Sequence, residues 1–306
     1  MSPTKALVIG SEGNIGKPLV RHLRGLGYEV MESDIKPAWR PNYIMADIRN
    51  PVDLLHAFDW KPDVIFFLGA MVSRVTCEHA ASLAIDTNLA GTQNVLELTK
   101  RVGAHLVYFS TSEVYGPDLE IMAETSSPRP NNRYGLTKLL SESLVEYEVV
   151  QHGLSAVILR PFMMYDEEED LGDHRSAMIR FATNLALDKP IEVHEGSARG
   201  WFHVSDAMRS IEAAARLKQY SIINIGSPDI RPIAQLAEAI RADLRASPAL
   251  IKVIRLPERM TLAKRPTLDR QRELLGVVPA VSLEEGVRRV CQRVVERLRN
   301  SGRLPG

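Results

Sequence analysis

The sequence predicts an α/β fold with a doubly wound parallel sheet, and three observations predict it. Short β-branched or aromatic runs alternate with helical patterns through the first half of the 306 residues. Several of these runs lack polar alternation, which is typical of parallel strands that crossover helices bury on both faces. A glycine-rich turn follows the first run directly and leads into the first helix. Strands and helices that alternate in this way form doubly wound folds.

The first half of the chain supplies most of the predicted sheet. The predicted strands are "KALVIG", "YEVMESD", "PDVIFFLG", "AHLVYFS" and "LSAVILRPF". The predicted helices between them are "GKPLVRHLRGLG", "PVDLLHAFD", "NLAGTQNVLELTKRVG" and "YGLTKLLSESLVEYEVVQHG". A further short strand is expected before "ADIRN". Residues 1–162 are therefore predicted to form the sheet domain.

The rhythm changes after residue 162. An acidic loop, "DEEEDLGDHRS", precedes a helix in "AMIRFATNLALDK", a strand in "PIEVHEG" and a helix in "VSDAMRSIEAAARL". A strand in "SIINIGS" and helices in "IAQLAEAIRADLRA" and "VSLEEGVRRVCQRVVERLRN" follow. We predict that residues 163–306 form mainly a smaller, discontinuous C-terminal lobe over the carboxyl edge of the sheet. Segments near 198–226 are expected to return to the sheet domain.

The composition excludes several classes of function. The formal net charge of zero gives no reason to expect nucleic acid or an anionic membrane as a partner. The two cysteines, Cys77 and Cys291, belong to no CxxC or Cys/His cluster, and adjacent carboxylates in "DEEED" favour a solvated loop over a metal site. No signal-peptide pattern opens the chain, and no run approaches the roughly 20 apolar residues that span a bilayer. We expect a cytoplasmic protein without a metal.

The glycine turn "GSEGNIG" is the first candidate binding feature. It places Gly10, Gly13 and Gly16 between the first strand and the first helix. Glycines there let the backbone turn tightly and approach a pyrophosphate, while the helix N-terminus offers free N–H groups. An ordinary strand-to-helix turn is the alternative for such a motif by itself. In this position it predicts a dinucleotide site.

Asp34 supplies a second indication of a dinucleotide, because it closes the second strand 18 residues after Gly16. A carboxylate there accepts hydrogen bonds from the adenosine ribose and repels a 2′-phosphate, which favours NAD over NADP. Lys36 nearby argues the other way. Asp47, in "ADIRN", suits either a contact to adenine or a turn. The small residues that end "FFLGA", residues 66–70, allow the chain to run beside a flat dinucleotide.

A tyrosine and a lysine give the candidate chemistry. In "YGLTK", Tyr134 and Lys138 stand at i and i+4, so both side chains share one helix face. A phenol is a weak base at neutral pH, and a neighbouring ammonium favours the phenolate. The pair can act as a general base or be an ordinary surface pair. The hydroxyl-rich strand end "STSEVYG", residues 110–116, lies upstream of it.

These motifs together resemble the extended short-chain dehydrogenases/reductases, and specifically the NAD-dependent epimerase/dehydratase group acting on nucleotide sugars. The segments that carry the resemblance are "GSEGNIG", "SD" at 33–34, "ADI", "FFLGA", "TNLAGTQNVLE", "STSEVYG", "YGLTK", "LRPF", "RGWFHVSDA" and "NIGSP". They follow the order of the family over nearly the whole chain. The resemblance implies an NAD-binding Rossmann domain at 1–162 and a substrate-binding lobe at 163–306.

The resemblance also implies residue roles. Tyr134 is similar to the catalytic base, Lys138 to the residue that binds the nicotinamide ribose, and Thr111 to the hydroxyl that bonds the substrate oxygen. Ser112 and Glu113 stand where the fate of the intermediate is decided. The implied NAD contacts, besides Tyr134 and Lys138, are Gly10, Gly13, Asn14, Ile15, Gly16, Asp34, Ile35, Asp47, Ile48, Leu68, Gly69, Ala70, Asn88 and Pro161.

The implied reaction is transient oxidation of a sugar at C4, with three possible fates for the 4-keto intermediate. Return of hydride to the other face gives an epimer, loss of a C5 carboxyl gives a decarboxylase, and loss of the C6 hydroxyl gives a 4,6-dehydratase. "TSE" is similar to the decarboxylases, whereas Ser112 replaces the aspartate usual in dehydratases. Glu113 either acts in catalysis or supports the loop. Epimerisation is preferred narrowly over decarboxylation because it needs no additional catalyst.

The substrate lobe carries the remaining implied contacts. Arg199, in "RGWFHVSDA", resembles an arginine that contacts the nucleotide diphosphate, and "KRPTLD" supplies Lys264 and Arg265 where a family arginine meets phosphate. Guanidinium groups suit phosphate because they donate two bonds at once. We select Met163, Arg199 and Arg265 as residues of the substrate site. Met163 stands where the family often has an asparagine that bonds the substrate, so this contact is lost.

Two alternatives to a nucleotide-sugar enzyme are weighed. A regulatory protein of the same fold that senses NAD without catalysis typically lacks the tyrosine or the lysine, and both are present. An enzyme acting on a smaller alcohol or ketone would have no need of the basic residues in the substrate lobe. The helices at 88–102 and 134–151 resemble the pair that forms a four-helix dimer interface, so we expect a homodimer that binds a nucleotide-diphosphate sugar.

Overall fold

Thirteen strands and eleven α-helices are described in the computed structural model, which covers residues 3–172, 176–255 and 262–304. The strands are β1 (Lys5–Ile9), β2 (Glu29–Asp34), β3 (Tyr43–Met45), β4 (Val64–Phe67), β5 (His105–Phe109), β6 (Ala156–Pro161), β7 (Met164–Tyr165), β8 (Ile191–His194), β9 (Ala198–Gly200), β10 (Phe202–His203), β11 (Ser221–Ile225), β12 (Ile230–Pro232) and β13 (Ile251–Ile254). The helices are α1 (Gly16–Gly25), α2 (Pro51–Asp59), α3 (Arg74–His79), α4 (Ala81–Ile85), α5 (Gly91–Val102), α6 (Arg133–His152), α7 (Ala177–Ala186), α8 (Val204–Ala214), α9 (Ile233–Leu244), α10 (Asp269–Leu275) and α11 (Leu283–Asn300).

The central sheet has seven strands in the order β11-β6-β5-β4-β1-β2-β3, and every pairing in it is parallel. β4 lies in the middle with β1 beside it, and the strand order reverses between these two strands, which is the topology of a Rossmann-type sheet. All residues of β4 and β5 are buried, as expected where helices cover both faces. The predicted fold class, a doubly wound α/β sheet, is confirmed.

An apolar core lies on each face of this sheet. One core joins the sheet to α1 and α8, and the other joins it to α2, α5 and α6. The first contains Leu19, Leu23, Phe66, Val107, Met208 and Ile211, and the second contains Leu54, Phe58, Phe67, Val95, Tyr108 and Val145. Full burial of such side chains, at about 1.5–3 kcal/mol each, holds the strand ends in fixed positions.

The region between β4 and α5 differs from the sequence-based prediction. Residues 74–85 form two short helices, α3 and α4, which the pattern analysis does not predict. Asp86–Ala90 forms a π-helical turn, so the predicted helix at 88–103 begins as a regular α-helix only at Gly91. π-helical turns inside α-helices are rare and often lie at functional sites.

The C-terminal half divides between two regions of the molecule. α8 packs on the central sheet, and β11 is the edge strand of that sheet, where it pairs with β6. β9 pairs with β12, β7 with β10, and β8 with β13, in three small two-stranded sheets. α7, α9 and α11 share a third apolar core with β8 and with Trp201. None of the helices in the described ranges has the length and apolar character needed to cross a bilayer.

Candidate active site

The carboxyl ends of the central strands carry most of the sequence-predicted site residues. Because parallel strands end at one edge of a sheet, this edge receives the glycine turn after β1, Asp34 of β2, the segment after β4, the "STSEVYG" turn after β5 and Pro161 of β6. The reversal of strand order beside β1 opens a crevice at this edge, where doubly wound folds bind their ligands. The candidate active site is therefore described from the glycine turn outward.

Two of the three glycines of the turn are required by close contacts. Gly10 has φ +91°, and a Cβ atom on it would lie 2.8 Å from the backbone nitrogen of Gly69. A Cβ atom on Gly16 would lie 2.1 Å from the carbonyl oxygen of Gly10. The backbone segments therefore pack closely where α1 begins, as the tight turn of a dinucleotide-binding motif requires. These features fit a dinucleotide pyrophosphate.

Asp34 organises the turn from the neighbouring strand. One carboxylate oxygen accepts from the backbone N–H of Glu12 at 2.9 Å, and the other from that of Lys36 at 3.0 Å. The Lys36 ammonium donates to the carbonyl oxygen of Glu12 at 3.4 Å. Arg40 pairs with the carboxylates of Glu12 and Glu32. Both nearby cations thus have protein partners, which favours a ribose with free hydroxyls over a 2′-phosphate.

Asp47 lies in a turn, which agrees with its interpretation as a turn residue. It accepts from the backbone N–H of Arg49 at 3.0 Å and pairs with the Arg49 guanidinium, which holds the pKa of Asp47 below its ordinary value. The contact to adenine stays a prediction. Ile48 is buried against α5, where a Cβ on Gly91 would lie 2.8 Å from the Ile48 Cδ1 atom. The side chain of Ile35 is exposed.

Asn88 holds the π-helical turn against two other segments. Its side-chain oxygen accepts from the backbone N–H of Met71 at 2.7 Å, and its amide donates to the Met71 carbonyl and to the Thr137 hydroxyl. Ser141 and Thr92 donate to its backbone oxygen. Asn88 is almost fully buried. It fixes α6, which carries Tyr134 and Lys138, relative to the segment after β4.

Thr111, Tyr134 and Lys138 come together at this edge of the sheet. Thr111 follows β5 and is buried, and its side chain interacts with the Tyr134 phenol. Lys138 is also buried, with its ammonium nitrogen 4.1 Å from the centre of the Tyr108 ring. A Cβ atom on Gly135 would lie 2.6 Å from the backbone oxygen of Glu113. The start of α6 therefore touches the "STSEVYG" turn directly, as a shared site requires.

Burial dominates the acid–base properties of this group. It raises the pKa of Tyr134, an effect that the interaction with the Thr111 side chain opposes. Burial lowers the pKa of Lys138 to about 7, and the Glu142 carboxylate acts against this fall. A lysine with such a pKa exchanges its proton near neutrality, so the charge of Lys138 depends on its neighbouring groups.

Ser112 and Glu113 meet a lysine that lies 151 residues further along the chain from Glu113. The buried Lys264 ammonium donates to the Ser112 hydroxyl at 3.1 Å and pairs with the Glu113 carboxylate. Asn132 donates to the other Glu113 oxygen at 2.8 Å. Burial raises the pKa of Glu113, but Lys264 and its other partners outweigh this and lower it overall. Glu113 is therefore an ionised carboxylate at neutral pH.

Two arginines complete a set that we call the charged cluster, defined as Arg74, Glu113, Arg199 and Lys264. Arg74 of α3 lies 3.6 Å from Glu113. Arg199 of β9 is buried and donates to the carbonyls of Ala198 and Leu262, and its charge interacts with Glu113 and Arg74. The cluster joins three cations to one carboxylate beside Thr111.

The structure brings Lys264 rather than Arg265 to the charged cluster. The Arg265 side chain is about half exposed and lies 3.9 Å from Glu120 at the surface. Backbone bonds place Lys264, because its N–H donates to Ala198 and the next residue's carbonyl accepts from Met122. The predicted phosphate contact of Arg265 stays a prediction. The sequence offered both cations side by side, and only the fold distinguishes them.

Met163 and the acidic loop after it differ from the sequence pattern of the family that the chain resembles, which often has an asparagine at position 163. Met163 has φ +25°, in the left-handed region that asparagine adopts more readily, and its side chain packs against the C-terminal core. Glu168 pairs with Arg293 of α11 at 2.8 Å, and Glu167 bonds the buried His203 at 2.8 Å. Glu167 and Glu168 thus each have a partner within the protein, so neither is an uncompensated negative charge that would repel a diphosphate.

Comparison with known proteins gives the same assignment from independent data. The family model described as "NAD dependent epimerase/dehydratase family" matches residues 6–226. The chain is 27% identical to UDP-glucuronic acid decarboxylase 6 of Arabidopsis thaliana over 308 residues, covering 94% of this chain and 87% of the relative.

Two solved structures show the same fold. UDP-glucose 4-epimerase from Thermotoga maritima, with UDP-glucose, superposes with a TM-score of 0.89 at 22% identity, covering 96% of this chain and 100% of that one. MoeE5, in complex with UDP-glucuronic acid and NAD, superposes with a TM-score of 0.86 at 24% identity, with the same coverage.

Proposed function

Because the chain belongs to the NAD dependent epimerase/dehydratase family, we propose that it converts a nucleotide-diphosphate sugar through transient oxidation at sugar C4. It is an NAD-dependent enzyme of the epimerase and decarboxylase type. The proposal about C4 is supported by one observation above all. Thr111 and Lys138 are buried and Tyr134 is half-buried at the sheet edge, next to the tightly packed glycine turn that suits a dinucleotide.

The chain's own groups suit proton removal from a sugar hydroxyl. NAD, when bound, accepts the hydride that leaves C4 and later returns it. Tyr134 takes the proton of the C4 hydroxyl, while the Thr111 hydroxyl bonds the same oxygen and orients it. The Lys138 ammonium stabilises the phenolate that Tyr134 needs for this step and donates to the nicotinamide ribose.

Decarboxylation of a nucleotide-linked uronate is the fate that the charged cluster favours. Arg74, Arg199 and Lys264 exceed Glu113 by two formal positive charges, and an anionic C6 carboxylate would complement them. In this step the bond between C5 and C6 breaks, carbon dioxide leaves, and its electron pair passes to the C4 carbonyl as an enolate. A proton from water then returns to C5. The decarboxylase relative supports this candidate.

Epimerisation at C4 is the second candidate, and a different feature favours it. Lys264 and Glu113 already neutralise each other, so the pair needs no carboxylate from the substrate. Epimerisation then requires only Thr111, Tyr134 and Lys138, with hydride returned to the opposite face. Dehydration has the least support, because Ser112 offers no acid for a departing C6 hydroxyl.

A homodimer is the assembly that we propose. α6 presents an exposed apolar stripe along one side, formed by Leu136, Leu140, Tyr147 and Val150, and Ile85 of the neighbouring α4 is exposed as well. Large exposed apolar patches on a water-facing helix mark interaction surfaces. A second copy of the same helix, related by a twofold axis, would cover this stripe.

The function is tested by NMR on purified protein incubated with NAD and a panel of UDP-, dTDP- and GDP-linked hexoses and uronates. A pentose product with release of carbon dioxide identifies decarboxylation, and clean inversion at C4 identifies epimerisation. Tyr134→Phe is the control, and we expect it to bind NAD but to lose turnover. Unchanged substrates across the whole panel, or full activity of Tyr134→Phe, would contradict the proposal.

A further inference from the structure

A buried carboxylate lies one helical turn beyond Lys138. Glu142 is only 4% exposed, and it accepts from the Arg160 guanidinium at 2.9 Å through Nε and at 2.6 Å through Nη2. The Ser110 hydroxyl donates to the same carboxylate. Arg160 is equally buried. A charge pair this deep needs good geometry to offset its desolvation, and this one is bidentate.

The partners of Glu142 are the immediate neighbours of residues in the active site. Ser110 precedes Thr111 at the end of β5, and Arg160 precedes Pro161 at the end of β6. The Arg160 guanidinium also lies 4.8 Å from the centre of the Tyr115 ring, in the turn that contains Ser112 and Glu113.

Tyr115 extends the connection to a third strand, because its hydroxyl donates to Asn224 of β11 at 2.7 Å. One carboxylate on α6 therefore connects the ends of β5 and β6 and, through Arg160 and Tyr115, reaches β11.

We propose that Glu142 is a positioning residue of the active site, which keeps the Lys138 ammonium charged and, through Arg160 and Ser110, fixes the strand ends that carry Thr111 and Pro161. The role assigned to Lys138 rests on the proposed function. The contacts of Glu142 do not depend on it. A purely structural ion pair would contribute to stability alone and leave Lys138 unchanged.

The charges around Lys138 support the tuning role. The groups that interact with the Glu142 carboxylate are Arg160 of β6, Lys138 of α6, the Tyr108 phenol of β5 and the Tyr220 phenol just before β11. Burial lowers the pKa of Lys138, and Glu142 is the group that opposes this effect. If the carboxylate is removed, the ammonium is left with the Tyr108 ring, and its proton is held more weakly.

The test uses two variants and one matched control. Glu142→Gln removes the carboxylate and leaves Arg160 unpaired, so a second variant, Glu142→Gln with Arg160→Met, removes both charges and restores a neutral interior. Glu148→Gln is the control, because Glu148 is also a buried carboxylate of α6 and pairs with a different cation, Lys100, at 2.7 Å. Folding of each protein is followed by thermal denaturation.

The decisive readout needs neither cofactor nor substrate. Lysine-selective ¹³C labelling follows the ε-carbon of Lys138 through a pH titration, with Lys138→Met as the assignment standard. We expect its pKa to fall by about one pH unit or more in the double variant, and to stay unchanged in Glu148→Gln. An unchanged Lys138 pKa in a folded double variant would overturn the proposal, whatever reaction the enzyme catalyses.

A second readout concerns activity. Once a turned-over substrate is known, the acidic limb of the kcat profile should move to higher pH in the double variant, because a neutral Lys138 stabilises the Tyr134 phenolate less. The substrate KM should change little. A pH profile identical to that of the parent protein, with only a lower melting temperature, would reduce Glu142 to a structural role and overturn the proposal.

Discussion

Lys138 shows at the scale of a single residue how function opposes stability. The folded protein buries its ammonium, and burial lowers its pKa from 10.5 to about 7. Below pH 7 both the folded and the unfolded chain bind the proton, so the folded state bears the full cost of burying a charge. Between about pH 7 and 10.5 the unfolded chain binds more protons, and the stability therefore rises with pH as this cost disappears.

A substitution of this lysine should therefore stabilise the protein while abolishing its activity. We expect Lys138→Met to raise the free energy of unfolding by about 1 kcal/mol or more at pH 6–7, with the gain shrinking as the pH approaches 10.5. Thermal or urea denaturation at a series of pH values measures this difference. A variant that is less stable than the parent at pH 6 would show that the buried ammonium is favourably solvated.

Lys264 and Arg265 allow a matched comparison within one segment. We expect Lys264→Met to lower kcat/KM about tenfold or more for a nucleotide-linked uronate and less for the neutral hexose, because the charged cluster loses a cation beside Glu113. Arg265→Met removes a half-exposed cation and should have a smaller effect on both. Steady-state kinetics with the uronate and the hexose measure kcat/KM for each variant. Equal losses for uronate and hexose would argue against a carboxylate contact.

At this scale the sequence predicted that Thr111, Tyr134 and Lys138 lie at one edge of the sheet, and their catalytic roles stay predictions. It did not select Lys264 as a site residue. Tyr134 and Lys138 are four residues apart, so helical geometry alone places them together. Lys264 reaches Glu113 across 151 residues, through a backbone contact with β9 that no local pattern encodes. Separation along the chain is the physical reason for the difference.

At the scale of elements, the contact between α6 and the "STSEVYG" turn decides whether the site is assembled. α6 begins with the Asn132 side chain accepting from the Gly135 N–H at 2.9 Å, and Gly135 itself touches the Glu113 backbone. There is no space for a side chain at this point. The helix that carries Tyr134 and the turn that carries Thr111 are therefore held at a single distance.

A methyl group at this contact should separate the two elements. We expect Gly135→Ala to destabilise the protein by about 1–3 kcal/mol and to lower kcat at least about tenfold, since its Cβ would lie 2.6 Å from the Glu113 oxygen. Gly25→Ala, at the end of α1 with no atom near its Cβ, is the control and should have neither effect. Parental activity in Gly135→Ala would mean that the contact is not required.

The elements that the sequence analysis missed are those with weak local signals. α2 and α6 were placed within a residue of their observed ends, because Asn50 with Pro51 and the final Gly153 are strong boundary residues. α3 and α4 are short and follow one another with a break at Ala80, so they present no helical period. The π-helical turn depends on the bonds of Asn88 to Met71 and Thr137, which are tertiary.

At the scale of the whole molecule, the central sheet could be predicted from the sequence. The pairings within the C-terminal lobe could be predicted only in part. Continuous apolar runs and the glycine turn predicted a parallel doubly wound sheet, which the strand order confirms. The pairing of β8 with β13 joins segments about 60 residues apart, and the acidic loop contacts α11 through ion pairs such as that of Glu168 with Arg293. Neither pairing leaves a periodic signal in the sequence.

The proposed dimer is also a property of the whole molecule. We expect Leu140→Arg to raise the dimer dissociation constant at least about tenfold, because it places a charge in the middle of the exposed stripe on α6. Val253→Arg, at a comparably exposed aliphatic position on β13, is the control. Light scattering over a range of concentrations measures the mass. A parent protein that is monomeric at every concentration would contradict the proposed dimer.

The central claim is that the enzyme oxidises C4 of a nucleotide sugar and then returns the same hydride to C4. It is tested most directly with a substrate carrying deuterium at C4, identified from the NMR panel. We predict that the product retains the deuterium at C4, whether it is an epimer or a decarboxylated pentose. Deuterium at C6 would indicate a dehydratase, and deuterium lost to water would contradict hydride transfer at C4 altogether.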